Sequence, residues 1–220
     1  MKLYLDTADS VLIQEINKTG LVDGVTTNPT NLAKQGGSPR DVIEKIFTLL
    51  PQGTISLEVT EKDPEKIYTQ AHALAKLKDS VLVKIPCHST YYPIIKRLVT
   101  DGIRLNITLV FSLAQALWMN KLDVHTISPF VGRLDEIGQD GLAFLADACA
   151  LRNQYGFKTE VLAASLRTVA QVEQAIRLGV DAITISPKLF RELSAHELTD
   201  KGMAQFTADW SSLGSGIRFP

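Results

Sequence analysis

Short apolar runs rich in β-branched residues recur along the whole chain, and a segment of helical periodicity follows each one. The runs are residues 3–5, 24–26, 55–59, 81–85, 104–110, 125–128, 160–164 and 182–185. Each is bounded by polar or turn residues, as parallel strands covered on both faces should be. Between them, Ser10 is placed to cap a first helix through Ile13 and Ile16. Pro39 opens a second that carries Val42, Ile43, Ile46 and Leu49 on one face, and Pro51 closes it. Pro64 opens a third, with Ile67, Ala71, Leu74 and Leu77 in line. Further helices are expected over residues 90–99, from a Ser112 cap through Leu117, over 141–155, and from a Thr168 cap to Gly179. A short one follows Pro187, and a last one spans about 200–213.

Eight strand–helix units with no linker, repeat break or low-complexity tract imply a single domain over residues 1–220. Strict alternation leaves a closed (β/α)8 barrel or a doubly wound open sheet. Eight units in so short a chain favour the α/β TIM barrel with an extra C-terminal helix. An open sheet would bring a Gly-rich phosphate loop after the first strand. Here that strand runs into Asp6-Thr7-Ala8-Asp9, so neither a dinucleotide fingerprint nor a P-loop is present.

A formal net charge of -1, without a Lys/Arg run, argues against nucleic acid or a membrane surface as partner. The N-terminal segment turns acidic at once, with Asp6 and Asp9, so no secretory leader is expected. A cytoplasmic location is expected, since unpaired cysteines fit a reducing compartment. No stretch approaches the ~20 apolar residues of a membrane span. The two cysteines, Cys87 and Cys149, read as free buried thiols. His72, His88, His125 and His196 show no metal-ligand spacing, so no metal is expected. Trp118 and Trp210 read as packing residues on helix faces.

In a barrel, the C-terminal strand ends converge on one mouth. Those ends supply Asp6, Thr26-Thr27-Asn28, Glu58, Lys84, Asn106, Thr108, Ser128, Arg133, Ser165, Arg167 and Ser186. Lys84 is the sharpest of them, because it is one charge inside the apolar run Val81-Leu82-Val83-Lys84-Ile85-Pro86. Such an ammonium is paired, snorkelling or desolvated. It reads either as an ion-pair partner for Asp6 or Glu58, or as a Schiff-base nucleophile. Imine formation needs the free amine, and an ordinary alkylammonium of pKa ~10.4 offers about one neutral molecule in a few thousand at pH 7. Desolvation or a nearby cation increases that fraction. Asp6 and Glu58 read as structural ion pairs or as general acid/base groups for carbon–carbon chemistry. Arg133 and Arg167, each near a serine, read as helix-capping surface residues or as a forked phosphate clamp.

Seven stretches together resemble the transaldolase family, in its short, compact, fructose-6-phosphate-aldolase-like branch of class I Schiff-base aldolases. They are Leu5-Asp6-Thr7-Ala8, Gly24-Val25-Thr26-Thr27-Asn28-Pro29, Ser56-Leu57-Glu58-Val59, Val83-Lys84-Ile85-Pro86, Asn106-Ile107-Thr108-Leu109-Val110-Phe111-Ser112, Ile127-Ser128-Pro129-Phe130-Val131-Gly132-Arg133 and Leu162-Ala163-Ala164-Ser165-Leu166-Arg167. The resemblance implies a lysine imine at Lys84 and proton transfer at the C4 hydroxyl by Asp6. It further implies a water positioned by Glu58 and Thr108. Asn28, Asn106 and Ser128 would hydrogen-bond the dihydroxyacetone hydroxyls, Thr27 and Phe130 are further expected among the substrate-binding residues, and Arg133, Ser165 and Arg167 would hold the phosphate. The implied reaction moves a three-carbon ketol unit from sedoheptulose 7-phosphate or fructose 6-phosphate to an aldose phosphate, a step of the pentose phosphate pathway. No metal or organic cofactor is implied, because the imine is itself the electron sink.

A related branch cleaves fructose 6-phosphate without an acceptor, and there a Gln resembles the position of Glu58 and a Tyr that of Phe130. Glu58 and Phe130 favour transfer over free aldol cleavage. Fructose-6-phosphate aldolase is the alternative within aldol chemistry, and a non-catalytic sugar-phosphate-binding barrel is the alternative outside it. The chain lacks the extra helices of larger transaldolases. The short branch implies a homo-oligomer, a pentamer or decamer built through the C-terminal helix. Met203, Phe206 and Trp210, at i, i+3 and i+7, fit either a docking face or packing on the chain's own barrel.

Overall fold

A computed structural model describes residues 1–213; the end of the expected domain, residues 214–220, lies outside the described residues. The elements run β1 (Lys2–Asp6), α1 (Ser10–Asn17), β2 (Gly24–Thr26), α2 (Pro29–Ala33), α3 (Pro39–Leu49), β3 (Thr54–Glu58), α4 (Pro64–Ala75), β4 (Val81–Pro86), α5 (Tyr92–Thr100) and β5 (Leu105–Val110). They continue as α6 (Leu113–Lys121), β6 (Thr126–Pro129), α7 (Val131–Asp135), α8 (Gly141–Tyr155), β7 (Glu160–Ala163), α9 (Val169–Arg177), β8 (Ala182–Ile185), α10 (Pro187–Ser194) and α11 (Glu197–Ser212). The strands pair in parallel, each with its neighbour in sequence, and β1 pairs with β8, so the sheet closes into a barrel. The expected (β/α)8 architecture is the observed one.

Alternation along each strand divides the molecule into two layers. In β4, Val81, Val83 and Ile85 belong to the main core, beneath Ile67 of α4 and Ile95 and Leu98 of α5. The residues between them, Leu82 and Lys84, turn to the barrel interior. A smaller cluster of Tyr4, Leu162, Ala164 and Ala182, with Phe130 against it, fills part of that interior. Each fully buried Leu or Ile of the outer layer contributes about 1.5–3 kcal/mol. The barrel is therefore stabilised by its outer core, and the upper interior is open to polar side chains.

Several local expectations are corrected. Asp9, not Ser10, caps α1, because its carboxylate accepts from the Val11 and Leu12 amides. The helix expected over 90–99 begins as a 3₁₀ turn, Ser89–Tyr91, and becomes α-helical at Tyr92. The short helices α2 and α7 were not expected: each has five residues, too few to show a helical period, and α2 buries none of them. The last helix starts earlier than expected, at Glu197, where His196 accepts from the Leu198 amide. Trp118 and Trp210 are each 47% exposed and are not core residues. Both cysteines are free and buried, as expected. Among the described residues no helix is long and apolar enough to cross a membrane.

Candidate active site

Strand register decides which polar residues meet. Glu58 lies opposite Lys84, Lys84 opposite Asn106, and Asp6 opposite Thr26. In a parallel barrel those pairings gather the strand ends around one mouth. There they line a cavity of about 410 Å³ at the C-terminal face.

At its floor the Lys84 ammonium is 3.0 Å from Glu58 Oε2 and donates to the Thr27 carbonyl at 3.0 Å. The two charged side chains are 8% and 14% exposed. The ion pair anticipated as the plain explanation is thus present, but it lies inside the cavity. Among the described residues these are its two polar contacts, and the side chain lines the cavity, where a third ammonium hydrogen can meet a ligand. A pair this dry is weak evidence for stability, because desolvation offsets most of its attraction.

Asp6 does not pair directly with Lys84. Its Oδ1 accepts from the Asn31 amide at 2.8 Å. Burial pushes the Asp6 carboxyl above its ordinary pKa, while Lys84, Asn31, Arg167 and Lys34 pull it back. That combination of burial and opposing charge marks Asp6 as a carboxyl group tuned by its surroundings.

Below these groups runs a buried polar chain. Ser128 Oγ donates to Asn106 Oδ1 at 2.7 Å, and Asn106 Nδ2 donates to Ser56 Oγ at 3.1 Å. Thr26 and Thr184 share a 2.6 Å hydroxyl contact across the β2–β1–β8 corner. These bonds set the Asn106 amide in one orientation. The buried hydroxyls of Thr108 and Ser165 have no partner among the described residues. Orphaned hydroxyls on a cavity wall are available to a bound molecule or water.

The backbone is strained at two of these places. Leu109 has φ 58° and Ser165 has φ 59°, both in the left-handed region that non-glycine residues avoid. Leu109 sits where the β5–β6 register slips between Ile107 and Val110, next to Thr108. Ser165 offers its carbonyl to the Gly132 amide at 2.9 Å. A Cβ at Gly132 would lie 2.3 Å from that oxygen and 2.7 Å from Arg167 Cγ. This close crossing brings Arg133 and Arg167 to the same rim. Arg133 stacks over the Phe130 ring at 5.3 Å, and Phe130 meets Phe111 edge-on at 5.7 Å between centroids. Arg167 touches Glu136 at 3.4 Å, in solvent, where an ion pair is worth little.

Asp6, Asn28, Glu58, Lys84, Asn106, Thr108, Ser128, Phe130, Arg133, Ser165 and Arg167 all line the cavity. Thr27 does not. Strand alternation turns its side chain away from the interior, and its hydroxyl donates to the Ser56 carbonyl instead. Ser186 also stays outside: it caps α10, and Thr184, two residues earlier, takes the inward position on β8. Asn31 and Lys34 were not expected at the site. Their signal lay in Asn28-Pro29, a cap followed by proline at the first helical position, which turns residues 28, 31 and 34 to one side. Cys87, three residues past Lys84, is buried, and burial pushes its thiol up to about 11. No group of three or more His, Cys, Asp or Glu among the described residues is placed to hold a metal.

The arrangement is a buried amine, two carboxylates at different distances from it, oriented amides, and two guanidinium groups at the rim. It suits covalent capture of a carbonyl compound that carries an anionic end. The family model described as transaldolase/fructose-6-phosphate aldolase matches residues 3–217. Relatives named "Probable transaldolase" come from Caulobacter vibrioides (strain NA1000 / CB15N), 42% identical over 99% of this chain and 100% of the relative, and from Dehalococcoides mccartyi, 42% identical over 97% and 99%. A third, from Rhizobium meliloti, is 41% identical over 99% of this chain and its own full length. A solved structure, a doubly substituted flavocytochrome b2 with sulfite bound, superposes with a TM-score of 0.63 at 13% identity. That match covers 84% of this chain and 56% of the other, and it reports the barrel fold alone.

Proposed function

Because the chain belongs to the transaldolase/fructose-6-phosphate aldolase family, we propose that it is a transaldolase working through a Schiff base on Lys84. In this reading the Lys84 amine adds to the C2 carbonyl of a ketose phosphate, and loss of water gives a protonated imine. Glu58, 3.0 Å from the amine, and the unpartnered Thr108 hydroxyl handle the protons and water of that step. Asp6 takes the proton of the C4 hydroxyl as the C3–C4 bond breaks. The bonding electrons move into the imine and leave an enamine, while the aldose phosphate departs. An aldose phosphate acceptor then enters, the enamine carbon adds to its aldehyde, and Asp6 returns the proton. Hydrolysis of the imine frees the new ketose phosphate and the lysine.

Asn28, Asn106 and Ser128 serve as partners for the dihydroxyacetone hydroxyls. Arg133, Arg167 and the orphaned Ser165 hydroxyl hold the phosphate through charge-assisted bonds worth ~1.5–3 kcal/mol each. Sedoheptulose 7-phosphate and fructose 6-phosphate are the proposed donors, in the pentose phosphate pathway and in the cytoplasm. The observation that carries the reading is the position of Lys84: a buried ammonium at the floor of a cavity whose rim bears two arginines.

Borohydride reduction in the presence of fructose 6-phosphate tests it. The expected result is a covalent adduct on Lys84 and turnover that depends on added erythrose 4-phosphate. No adduct would overturn the enzymatic reading in favour of a binding barrel. Equal turnover without acceptor would make the protein a fructose-6-phosphate aldolase. The proposal extends to assembly: α11 buries none of its residues, and Met203 and Phe206 are 64% and 75% exposed, which supports a homo-oligomer, a pentamer or decamer, joined through this helix.

A further inference from the structure

Helix α2 lines the site along one side, with Asn28 at its cap, Asn31 in its first turn and Lys34 just past its end. The Asn31 backbone amide donates to Asn28 Oδ1 at 2.8 Å, and its side-chain amide donates to Asp6 Oδ1 at 2.8 Å. An ionised carboxylate only accepts, so the nitrogen of the Asn31 amide faces Asp6. Packing does not require an amide here, because α2 has no buried residue. Asn31 thus ties the loop after β2 to the carboxylate at the end of β1, and it occupies one of the two carboxylate oxygens.

We propose that Asn31 is a positioning residue for the proton transfer at Asp6: it fixes which carboxylate oxygen meets the substrate hydroxyl and favours the ionised form. This rests on the reading of Asp6 as the proton acceptor in bond cleavage. The charged groups around Asp6 are Lys84 on β4, Arg167 after β7 and Lys34 after α2, with Glu58 on β3 beyond Lys84 and Arg133 at the rim. After Lys84, Asn31 is the largest influence holding the Asp6 pKa down against burial. Cleavage needs Asp6 ionised, so activity falls as pH drops through its pKa. Removing a donor to the charged form raises that pKa and moves the acid limb upward.

The test compares wild type with Asn31→Leu and Asn31→Asp. In the coupled transfer assay the acid limb of kcat moves up by about one pH unit in Asn31→Leu, the loss of one hydrogen bond to a charged acceptor. It moves further in Asn31→Asp, where a like charge replaces the donor. The plateau kcat falls severalfold, while KM for fructose 6-phosphate stays within about twofold, because the phosphate contacts are untouched. Borohydride trapping on Lys84 persists in both variants. A second readout needs no turnover: the Asp6 carboxyl, followed by carbon-13 NMR in the free protein, titrates higher in Asn31→Leu. Unmoved titration and an unmoved acid limb would overturn the proposal. Failure of wild type to trap would instead overturn the Schiff-base reading, and the NMR titration would still decide whether Asn31 holds Asp6.

Discussion

Lys84 and Glu58 are register partners across the β3–β4 pair, and their charged ends close to 3.0 Å inside the barrel. The contact is at once the main electrostatic feature of the interior and the place where the proposed covalent chemistry begins.

The pair is coupled. Lys84→Met abolishes turnover and strands the Glu58 carboxylate in a dry site. Breaking a buried pair from one side costs about 3–5 kcal/mol. The double variant Lys84→Met/Glu58→Gln removes both charges and recovers most of that loss. Urea unfolding of wild type, the two single variants and the double variant measures the coupling; a double variant as unstable as Lys84→Met would show that the two groups do not depend on each other.

Asp6 sets stability against activity. Its pKa is raised above the ordinary 3.8 in the folded state, first by burial. The native state therefore holds this proton more tightly than the unfolded chain. That contribution is fully present below the unfolded pKa and is lost as pH rises through the folded one. Asp6→Asn should accordingly be more stable than wild type at pH 7, and the difference should shrink as pH falls through the folded Asp6 pKa and be gone below about pH 4, the ordinary carboxylate value. Activity should fall by about 10²-fold or more, as for loss of a general base. Melting curves across pH check the first claim, and a variant less stable than wild type at pH 7 contradicts it.

Gly132 has no room for a methyl group, with backbone oxygen at 2.3 Å from where it would sit. Gly132→Ala is expected to cost about 1–3 kcal/mol through overpacking. It should also splay Arg167 from Arg133, raising KM for fructose 6-phosphate severalfold. The unphosphorylated ketose should be affected much less. Parallel KM measurements on both compounds distinguish this from a general loss of fold.

Phe130 lies between Arg133 and Phe111 on the cavity wall. A phenol there can orient a water that competes with the aldose acceptor, and a phenyl ring cannot. Phe130→Tyr should raise release of glyceraldehyde 3-phosphate in the absence of acceptor. A rate equal to wild type would exclude this role for the ring.

Helix α11 exposes Leu198 (70%), Met203 (64%) and Phe206 (75%). Burying such a face on a second copy would contribute several kcal/mol, at about 25 cal/mol per Å². Light scattering after size exclusion should report an oligomer, and Phe206→Glu should weaken it. A monomeric wild type at micromolar concentration would rule this assembly out.

The barrel was legible because parallel strands buried on both faces leave short apolar runs, and eight of these at regular spacing admit few topologies. Lys84 stood out for the same reason: a charge within Val81–Pro86 has no ordinary place in such a run. Helices with a buried stripe were equally visible, as Thr168 with its capping box shows. The misses are of another kind. Thr27 and Ser186 both follow strands, but Thr27 has the opposite parity to the inward Thr26, and Ser186 lies past the end of β8, where its hydroxyl caps α10. Asn31 gives no periodic signal in the sequence, because α2 is too short and too exposed to write a hydrophobic period.

Local pattern, then, determined the strand–helix units, the closed barrel and the polar residues collected at one end, because burial and backbone hydrogen bonding act through near neighbours in the chain. Only the tertiary structure decided that Glu58, rather than Asp6, pairs with Lys84, and that Asp6 is held by an asparagine 25 residues away. Those choices depend on strand register and on the path of a loop across the barrel mouth, and distances between side chains remote in sequence are set by packing of the whole molecule.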